Sequence, residues 1–327
     1  MNIDKHNPKM SVIIPTYNKA FYLDLTLKGF EFQTFQSFEI IIIDDGSNDT
    51  TKQIVAKYSK VMDIQYLYQK NKGRAKAKNL GIQHIRGEIV VFNDDDRIPK
   101  STYLEMHYKR LQKKEHSISI GSKYEVFTKW DSKMKMKKAD VELLLTKISK
   151  EELMDNKLEI LKCTSRENFE KCLYKLVFTE TVDNYSEVFE KYGANLEGFV
   201  FGWAIGTTGN VAMEREAIED KAFDSNFIGW GGEDNELLYR LYMEGYRFVM
   251  TPDAINYHQK HYRGKDERKQ LITNLEYFMN KYKEIEVALF SKVLEKAIGE
   301  FTFVDANNLF LLINKNYKLR KVFERYI

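Results

Sequence analysis

Three adjacent aspartates, Asp94, Asp95 and Asp96, follow the apolar run Ile89 to Phe92 and precede Arg97-Ile98-Pro99. Carboxylates packed this closely raise one another's pKa unless a cation neutralises them. A divalent ion bridging one or two of them to a diphosphate is a common solution for hard cations. Alternate residues of an extended segment share a face, so Asp94 and Asp96 are expected to point together and Asp95 away. Far downstream, the chain's six histidines include His258 and His261, close together after a predicted strand. Either can complete a metal site begun by Asp96, and spacing does not choose between them. An acidic helix-capping turn is the plainer reading of the aspartates, and the neighbouring motifs outweigh it.

A second acidic pair, Glu233 and Asp234, follows Phe227-Ile228-Gly229-Trp230-Gly231-Gly232. Leu237, Leu238, Leu241 and Tyr242 recur at helical spacing, which puts the pair in a first helical turn. The helix dipole keeps a carboxylate ionised there. Acidic residues are favoured at any helix start, so the functional weight falls on the glycines, which let a ligand approach the backbone. Trp230 offers an apolar face suited to a pyranose ring, and Trp203, Gly231 and Gly232 are grouped with it as acceptor or sugar contacts.

Two further clusters read as nucleotide recognition. Pro15-Thr16-Tyr17-Asn18 ends the first apolar run, and Pro15 leaves Tyr17 at a sheet edge where a base can stack. Asp44-Asp45-Gly46 ends the second, where carboxylates can accept hydrogen bonds from a base or ribose but would repel a phosphate. Asn48 or Asp49 is expected to cap the following helix. The positive partner is Asn71-Lys72-Gly73-Arg74, where backbone N–H groups and Arg74 open a helix towards a diphosphate. Lys72, Lys76 and Lys78 read mostly as a solvated helix face.

These residues need a scaffold that gathers strand ends. Ser11–Ile14, Phe38–Ile43, Ile64–Tyr68 and Glu88–Phe92 read as strands; Ala20 to about Phe32, Asn48–Ser59 and Ala75–Ile85 read as helices. That alternation implies an α/β fold with a parallel, helix-covered sheet. Ligands of such sheets bind beyond the carboxyl ends of the strands, where three of the clusters fall. From about residue 130 to 195 the chain becomes helical, charged and poor in Gly and Pro, an insertion that covers the sheet or shapes an acceptor cleft. From Asp266 onward it reads as helical. The expected division is therefore a catalytic domain over residues 1–264, with the insertion inside it, and a C-terminal helical extension over 265–327. That extension is a candidate for packing on the catalytic part, for pairing copies into a homo-oligomer, or for docking a partner.

The chain has 327 residues, 43% hydrophobic and 30% charged, with a net charge of +3. That is enough apolar content for a sizeable core and too little charge for a nucleic-acid partner. The clusters Lys133–Lys138 and Lys315–Lys321 read as solvated faces, with an anionic acceptor or a membrane surface as the other readings. Two cysteines, Cys163 and Cys172, make no disulfide framework and fit a reducing compartment. The opening MNIDKHNPKM lacks the apolar segment of a signal peptide, and apolar runs such as Ile40–Ile43 are far too short to span a bilayer. A cytoplasmic protein is expected, with at most peripheral contact at the inner face of a membrane.

In this order, SVIIPTYNKA, EIIIIDDGSNDTT, NKGRAKAKNLGI and VVFNDDDRIP resemble the nucleotide-sugar-binding half of family 2 glycosyltransferases with the GT-A fold. GTTGNVAMEREAI followed by GWGGEDNELLYRLYMEGYRF is similar to the acceptor half of galactosyl- and N-acetylgalactosaminyltransferases, including chondroitin-polymerising enzymes. The resemblance runs from about Ser11 to Arg263, with a gap at the insertion. It implies a Rossmann-like, mostly parallel sheet with helices on both faces, a UDP-sugar donor, and a divalent metal, Mn2+ or Mg2+. It implies a glycan, polysaccharide or peptide acceptor. Carried over residue by residue, it gives Tyr17 and Asp44 to the base, Arg74 to the diphosphate, Asp94 to ribose or metal, and Asp96 to the metal. Pro15, Asp45 and Asp95 join the nucleotide-sugar set. Asp234 becomes the catalytic base and Glu233 holds acceptor or donor sugar, while His258 and His261 compete as metal ligand. Asn93 stands where an apolar residue is more usual, and Lys78-Asn79 where Arg-Asn is common. Direct displacement with inversion at the anomeric carbon is the expected reaction. A nucleotidyltransferase would share the sheet and metal site but leave the Gly-Trp-Gly-Gly-Glu-Asp helix without a purpose. A silent sugar- or nucleotide-binding protein would have no need of every catalytic carboxylate.

Overall fold

A computed structural model describes residues 7–113, 115–134, 136–154, 159–179, 185–262, 266–295 and 301–325. The expected boundary at 264/265 and the end of the resemblance at Arg263 lie outside the described residues. The chain begins β1 (Met10–Thr16), α1 (Ala20–Glu31), β2 (Phe38–Asp44), α2 (Thr51–Tyr58), β3 (Ile64–Tyr68), α3 (Arg74–Ile82) and β4 (Ile89–Asn93). It continues with β5 (Arg97–Pro99), α4 (Tyr103–Leu111) and β6 (Ser117–Val126). The insertion holds α5 (Lys138–Leu145), α6 (Lys150–Met154), α7 (Arg166–Lys175), β7 (Val177–Thr179) and α8 (Tyr185–Tyr192). Then come α9 (Gly202–Ile205), β8 (Asn210–Glu214), α10 (Glu233–Met243) and β9 (Arg247–Gln259). Four helices close the chain: α11 (Glu267–Tyr282), α12 (Ile285–Glu295), α13 (Phe303–Lys315) and α14 (Tyr317–Phe323).

The strands form one sheet in the order β3-β2-β1-β4-β8-β6-β9-β5, with β7 on β6. β3, β2, β1 and β4 run parallel, and β6 and β9 run parallel to each other. β8 lies antiparallel to both β4 and β6, and β5 antiparallel to β9. β2, with four consecutive isoleucines, is buried along its whole length, as a parallel strand covered on both faces must be. Along β1 the period-two alternation splits the core. Ile13 faces one cluster with Ile41, Ile43, Ala75 and Phe92, whereas Val12 and Ile14 face another with Leu23, Leu27 and Tyr103. α3 lies so close to the sheet that a Cβ on Gly81 would sit 2.7 Å from Ile43 Cδ1.

The strand readings hold to within one or two residues, and the expected helix Ala75–Ile85 ends at Ile82. The insertion is not a cap alone. β7 pairs with β6, and α7 buries Phe169 and Leu173 against Leu25 of α1 and Ile98 of β5. The closing helices share the main core, where Phe278, Phe290 and Phe303 pack with Phe201 and Trp203. Among the described residues no helix is long and apolar enough to cross a membrane. Cys163 and Cys172 form no disulfide, and their sulfur atoms lie 3.6 Å apart.

Candidate active site

β4 ends at Asn93, and the chain turns immediately. Asn93, fully buried, donates its side-chain amide to the carbonyls of Asp94 and Arg97 and so clasps the turn. An amide where an apolar residue is usual thus does a structural job. The extended alternation expected through the aspartates stops here, and their pairing is corrected accordingly. Asp95 and Asp96, not Asp94 and Asp96, share a partner: the Lys19 ammonium is 3.5 Å from Asp95 Oδ1 and 2.5 Å from Asp96 Oδ2. Asp94 instead meets Arg97, 3.1 Å away. Asp95 also accepts a hydrogen bond from the Thr16 hydroxyl at the end of β1.

The pairing of β5 with β9 sets Arg97 opposite His258, and the Gln259 amide donates to the Asp96 carbonyl at 2.8 Å. Both histidines therefore arrive beside Asp96, and both are placed to offer it a nitrogen. His261 Nε2 is 2.9 Å and His258 Nε2 4.0 Å from Asp96 Oδ2. One donor atom from each of the three residues lies within 4.8 Å of the others. Each imidazole has its other nitrogen on an acceptor, Nδ1 of His258 on Glu125 at 3.5 Å and Nδ1 of His261 on the Tyr262 carbonyl at 2.9 Å. That orients both Nε2 atoms inward, the arrangement by which acceptors behind metal-binding histidines fix tautomer and direction. Burial alone would raise the Asp96 carboxyl, but Lys19, His261 and His258 hold it well below the ordinary range. Burial raises Asp95 to about 6, despite Lys19, with the adjacent Asp96 charge adding to the rise.

At the ends of β1 and β2, Tyr17 is 47% exposed and free to stack. Pro15 continues β1 in register with Ile43. Asp44 is buried and accepts from the Ser47 amide and the Tyr66 hydroxyl. Asp45 is committed to the protein: it accepts from Gln69 and from the backbone amides of Lys72 and Gly73, bracing the loop that leads into α3. Asp49 ties two helix starts, accepting from the amides of Ala20 and Thr51. Arg74 opens α3 and faces a cleft lined with Lys72, Gly73, Phe227, Gly229 and Glu233. Desolvation opposes its charge, but Glu233 and the three aspartates outweigh that and raise its pKa. Arg74 and Glu233 thus line one cleft. A larger cavity of about 360 Å³ lies elsewhere, lined by Phe199, Tyr246 and Arg247.

Lys78 overturns its reading as a solvated residue. Its side chain is 3% exposed, and its ammonium lies 2.5 Å from Asp234 and 3.2 Å from Glu233. Thr208 donates both its amide and its hydroxyl to the Asp234 carboxylate. Burial works to raise the Asp234 carboxyl, yet Lys78 and the Thr208 hydrogen bonds bring it below its ordinary value. The two acidic centres are also neighbours through the backbone. A Cβ on Gly209, next to Thr208, would meet Arg97 Nε at 2.4 Å and Asp94 Oδ2 at 2.7 Å.

The glycine loop before α10 is held by α11. Gln270 accepts from the Trp230 amide, and the Asn274 side chain donates to the carbonyls of Ile228, Trp230 and Gly231. Gly231 and Gly232 have φ of +93° and +94°, which other residues rarely adopt. Trp230 is half-buried at the edge of this loop. Trp203 is corrected from sugar contact to core: it is fully buried among Tyr239, Phe278 and Phe290. Sequence reasoning missed Lys19, Lys78 and Thr208. Only Lys78 left a signal, since Ala75, Lys78 and Ile82 recur at helical spacing on the inward stripe of α3.

Residues 11–172 match the family model described as glycosyl transferase family 2, and residues 196–263 the one described as N-terminal domain of galactosyltransferase. The chain is 25% identical over 285 residues to the uncharacterized glycosyltransferase YfnE of Bacillus subtilis, spanning 85% of this chain and 71% of that protein. It is 28% identical over 298 residues to chondroitin synthase of Escherichia coli, spanning 87% of this chain but only 41% of that protein. Among solved structures, S. aureus TarS 1-349 in complex with UDP-GlcNAc is 17% identical with a TM-score of 0.53, over 89% of this chain and 73% of that one. This last likeness bears on the fold.

Proposed function

We propose that this chain, whose residues 11–172 match the glycosyl transferase family 2 model, moves a sugar from a UDP-sugar to a hydroxyl of a glycan or polysaccharide, by metal-assisted displacement with inversion. The observation that carries this reading is that two acidic centres, Asp94–Asp96 and Glu233–Asp234, lie side by side: Thr208 donates to Asp234 while the adjacent Gly209 packs against Asp94 and Arg97. Each centre then has its own task in one reaction.

Asp96, His258 and His261 form the cation site. Two imidazole nitrogens with one carboxylate suit Mn2+ better than Mg2+, which prefers an all-oxygen octahedral shell. When bound, the ion supplies Lewis-acid stabilisation of the departing diphosphate. Arg74 supplies a fixed guanidinium for the same charge. Tyr17 stacks on the base, and Asp44 receives its polar edge. Asp234 takes the acceptor proton during attack, held ionised by Lys78 and aimed by Thr208. Glu233 and Trp230 position the sugar.

The test is UDP release from a panel of UDP-sugars with Mn2+, with and without chelator. Metal-dependent release from one or a few donors is expected. Asp234→Asn should lower turnover by about 10³-fold while calorimetry finds UDP binding intact. Release from no donor in the panel would remove the UDP-sugar reading; an Asp234→Asn variant that keeps most of its turnover would remove the base.

A further inference from the structure

Lys19 has no role in the reaction outlined above, yet its ammonium lies inside the cation site. Its Nζ is 2.5 Å from Asp96 Oδ2, 3.4 Å from His261 Nε2 and 3.5 Å from Asp95 Oδ1. Asp96 Oδ2 and His261 Nε2 are themselves only 2.9 Å apart. With Nδ1 of His261 donating to the Tyr262 carbonyl, a metal can be taken only at Nε2, through the lone pair of the neutral ring, and at the carboxylate oxygen through another. The buried Asp96 carboxylate needs a positive centre beside it. Lys19 provides it.

A divalent ion on Asp96 and His261 needs both of those lone pairs at coordination distances of about 2.0–2.2 Å. The ammonium and the ion therefore compete for one position, and their like charges exclude each other. We infer that Lys19 is an exchangeable internal cation, neutralising Asp96 and His261 in the ligand-free protein and giving way when a divalent metal binds. Asp95 is its resting place after exchange. That carboxylate is already within 3.5 Å of Nζ and takes its other hydrogen bond from Thr16. The geometry of the loop allows the movement: Lys19 immediately precedes α1, follows Asn18 with a positive φ of 52°, and is one-quarter exposed. The inference rests on the reading that Asp96, His258 and His261 hold a divalent cation.

The experiment titrates Mn2+ into the ligand-free full-length chain, following free Mn2+ by electron paramagnetic resonance, in wild type, Lys19→Gln, Lys19→Arg and His261→Ala. Lys19→Gln removes the competitor and should bind Mn2+ about tenfold more tightly than wild type. Lys19→Arg keeps the charge and should stay near wild type. Without metal, Lys19→Gln should melt below wild type, and saturating Mn2+ should raise its Tm by more than it raises wild type's. Equal or weaker Mn2+ binding by Lys19→Gln, with His261→Ala still impaired, overturns the exchange and leaves the metal site standing. Binding that is absent or unaltered by His261→Ala in all variants removes the metal site, and the exchange with it.

Discussion

Lys78 sets how strong a base Asp234 can be. Its buried ammonium keeps the carboxylate ionised, and the same attraction makes the carboxylate reluctant to accept a proton. The acid limb of kcat should therefore lie below the ordinary aspartate range in wild type. Lys78→Met leaves Asp234 desolvated beside Glu233 without its ion-pair partner, so its pKa should rise and the limb should move to higher pH. Lys78→Arg should largely restore the wild-type position. A pH profile of kcat for the three proteins measures this, and superimposable acid limbs would contradict it. The carboxylates themselves were readable from the sequence because their types and strand-end positions announce charge that needs a partner. The partners were not. Lys78 reaches across 155 positions to Glu233 and Lys19 across 77 to Asp96, and no local pattern encodes which cation will fold onto which anion.

At the scale of elements, the segment between β8 and α10 carries Trp230 and depends on α11. Asp224 accepts from the Tyr277 hydroxyl at 2.9 Å and from the Lys281 ammonium at 2.7 Å, both on α11. Burial opposes the Asp224 charge, but Lys281, the Asn226 amide and Tyr277 outweigh it and bring the pKa to about 2. A carboxyl depressed in the folded state stabilises fully above its unfolded value and loses that contribution as pH falls through the folded one. Asp224→Asn should accordingly cost about 1 kcal/mol at pH 7, the full shift being discounted for solvent screening. Urea denaturation should find the same deficit at pH 5 and a shrinking one only below about pH 4. A deficit that fades between pH 7 and 5 would argue against the clamp. The helices and the parallel strands were legible because period 3.6 and short β-branched runs are local signals. The antiparallel insertion of β8 between β4 and β6 was not, since its pairing with β4 joins residues more than a hundred positions apart. Nor was the hold of α11 on the glycine loop, which adds the side-chain amides of Gln270 and Asn274 to the packing of Phe227 on Tyr277 and Phe278.

At the scale of the whole molecule, His107 joins α4 to the antiparallel half of the sheet. Asn210 donates its amide hydrogens to the carbonyls of Ser122 and Ala254, so its oxygen faces His107 Nε2 at 3.0 Å, and that nitrogen must carry the proton. Nδ1 then accepts from the Ser119 hydroxyl, which in turn accepts from Thr251. The ring is fully buried, and a second proton on Nδ1 would place a charge in the core with no carboxylate bonded to it. Burial accordingly pushes His107 down to about 4, with the Asn210 bond only partly offsetting it. A histidine depressed in the folded state binds fewer protons there than when unfolded. Its contribution is complete above the unfolded value of about 6.5 and declines as pH falls towards the folded one. Across pH 7 to 5 the loss should be about 2 kcal/mol, from roughly one proton taken up on unfolding. His107→Gln keeps a donor towards Asn210 without the titration. The variant will be less stable than wild type at pH 7, and the gap should narrow by that amount at pH 5. Parallel stability curves for the two proteins, measured by urea unfolding across this range, would mean that another group sets the acid limit of the fold.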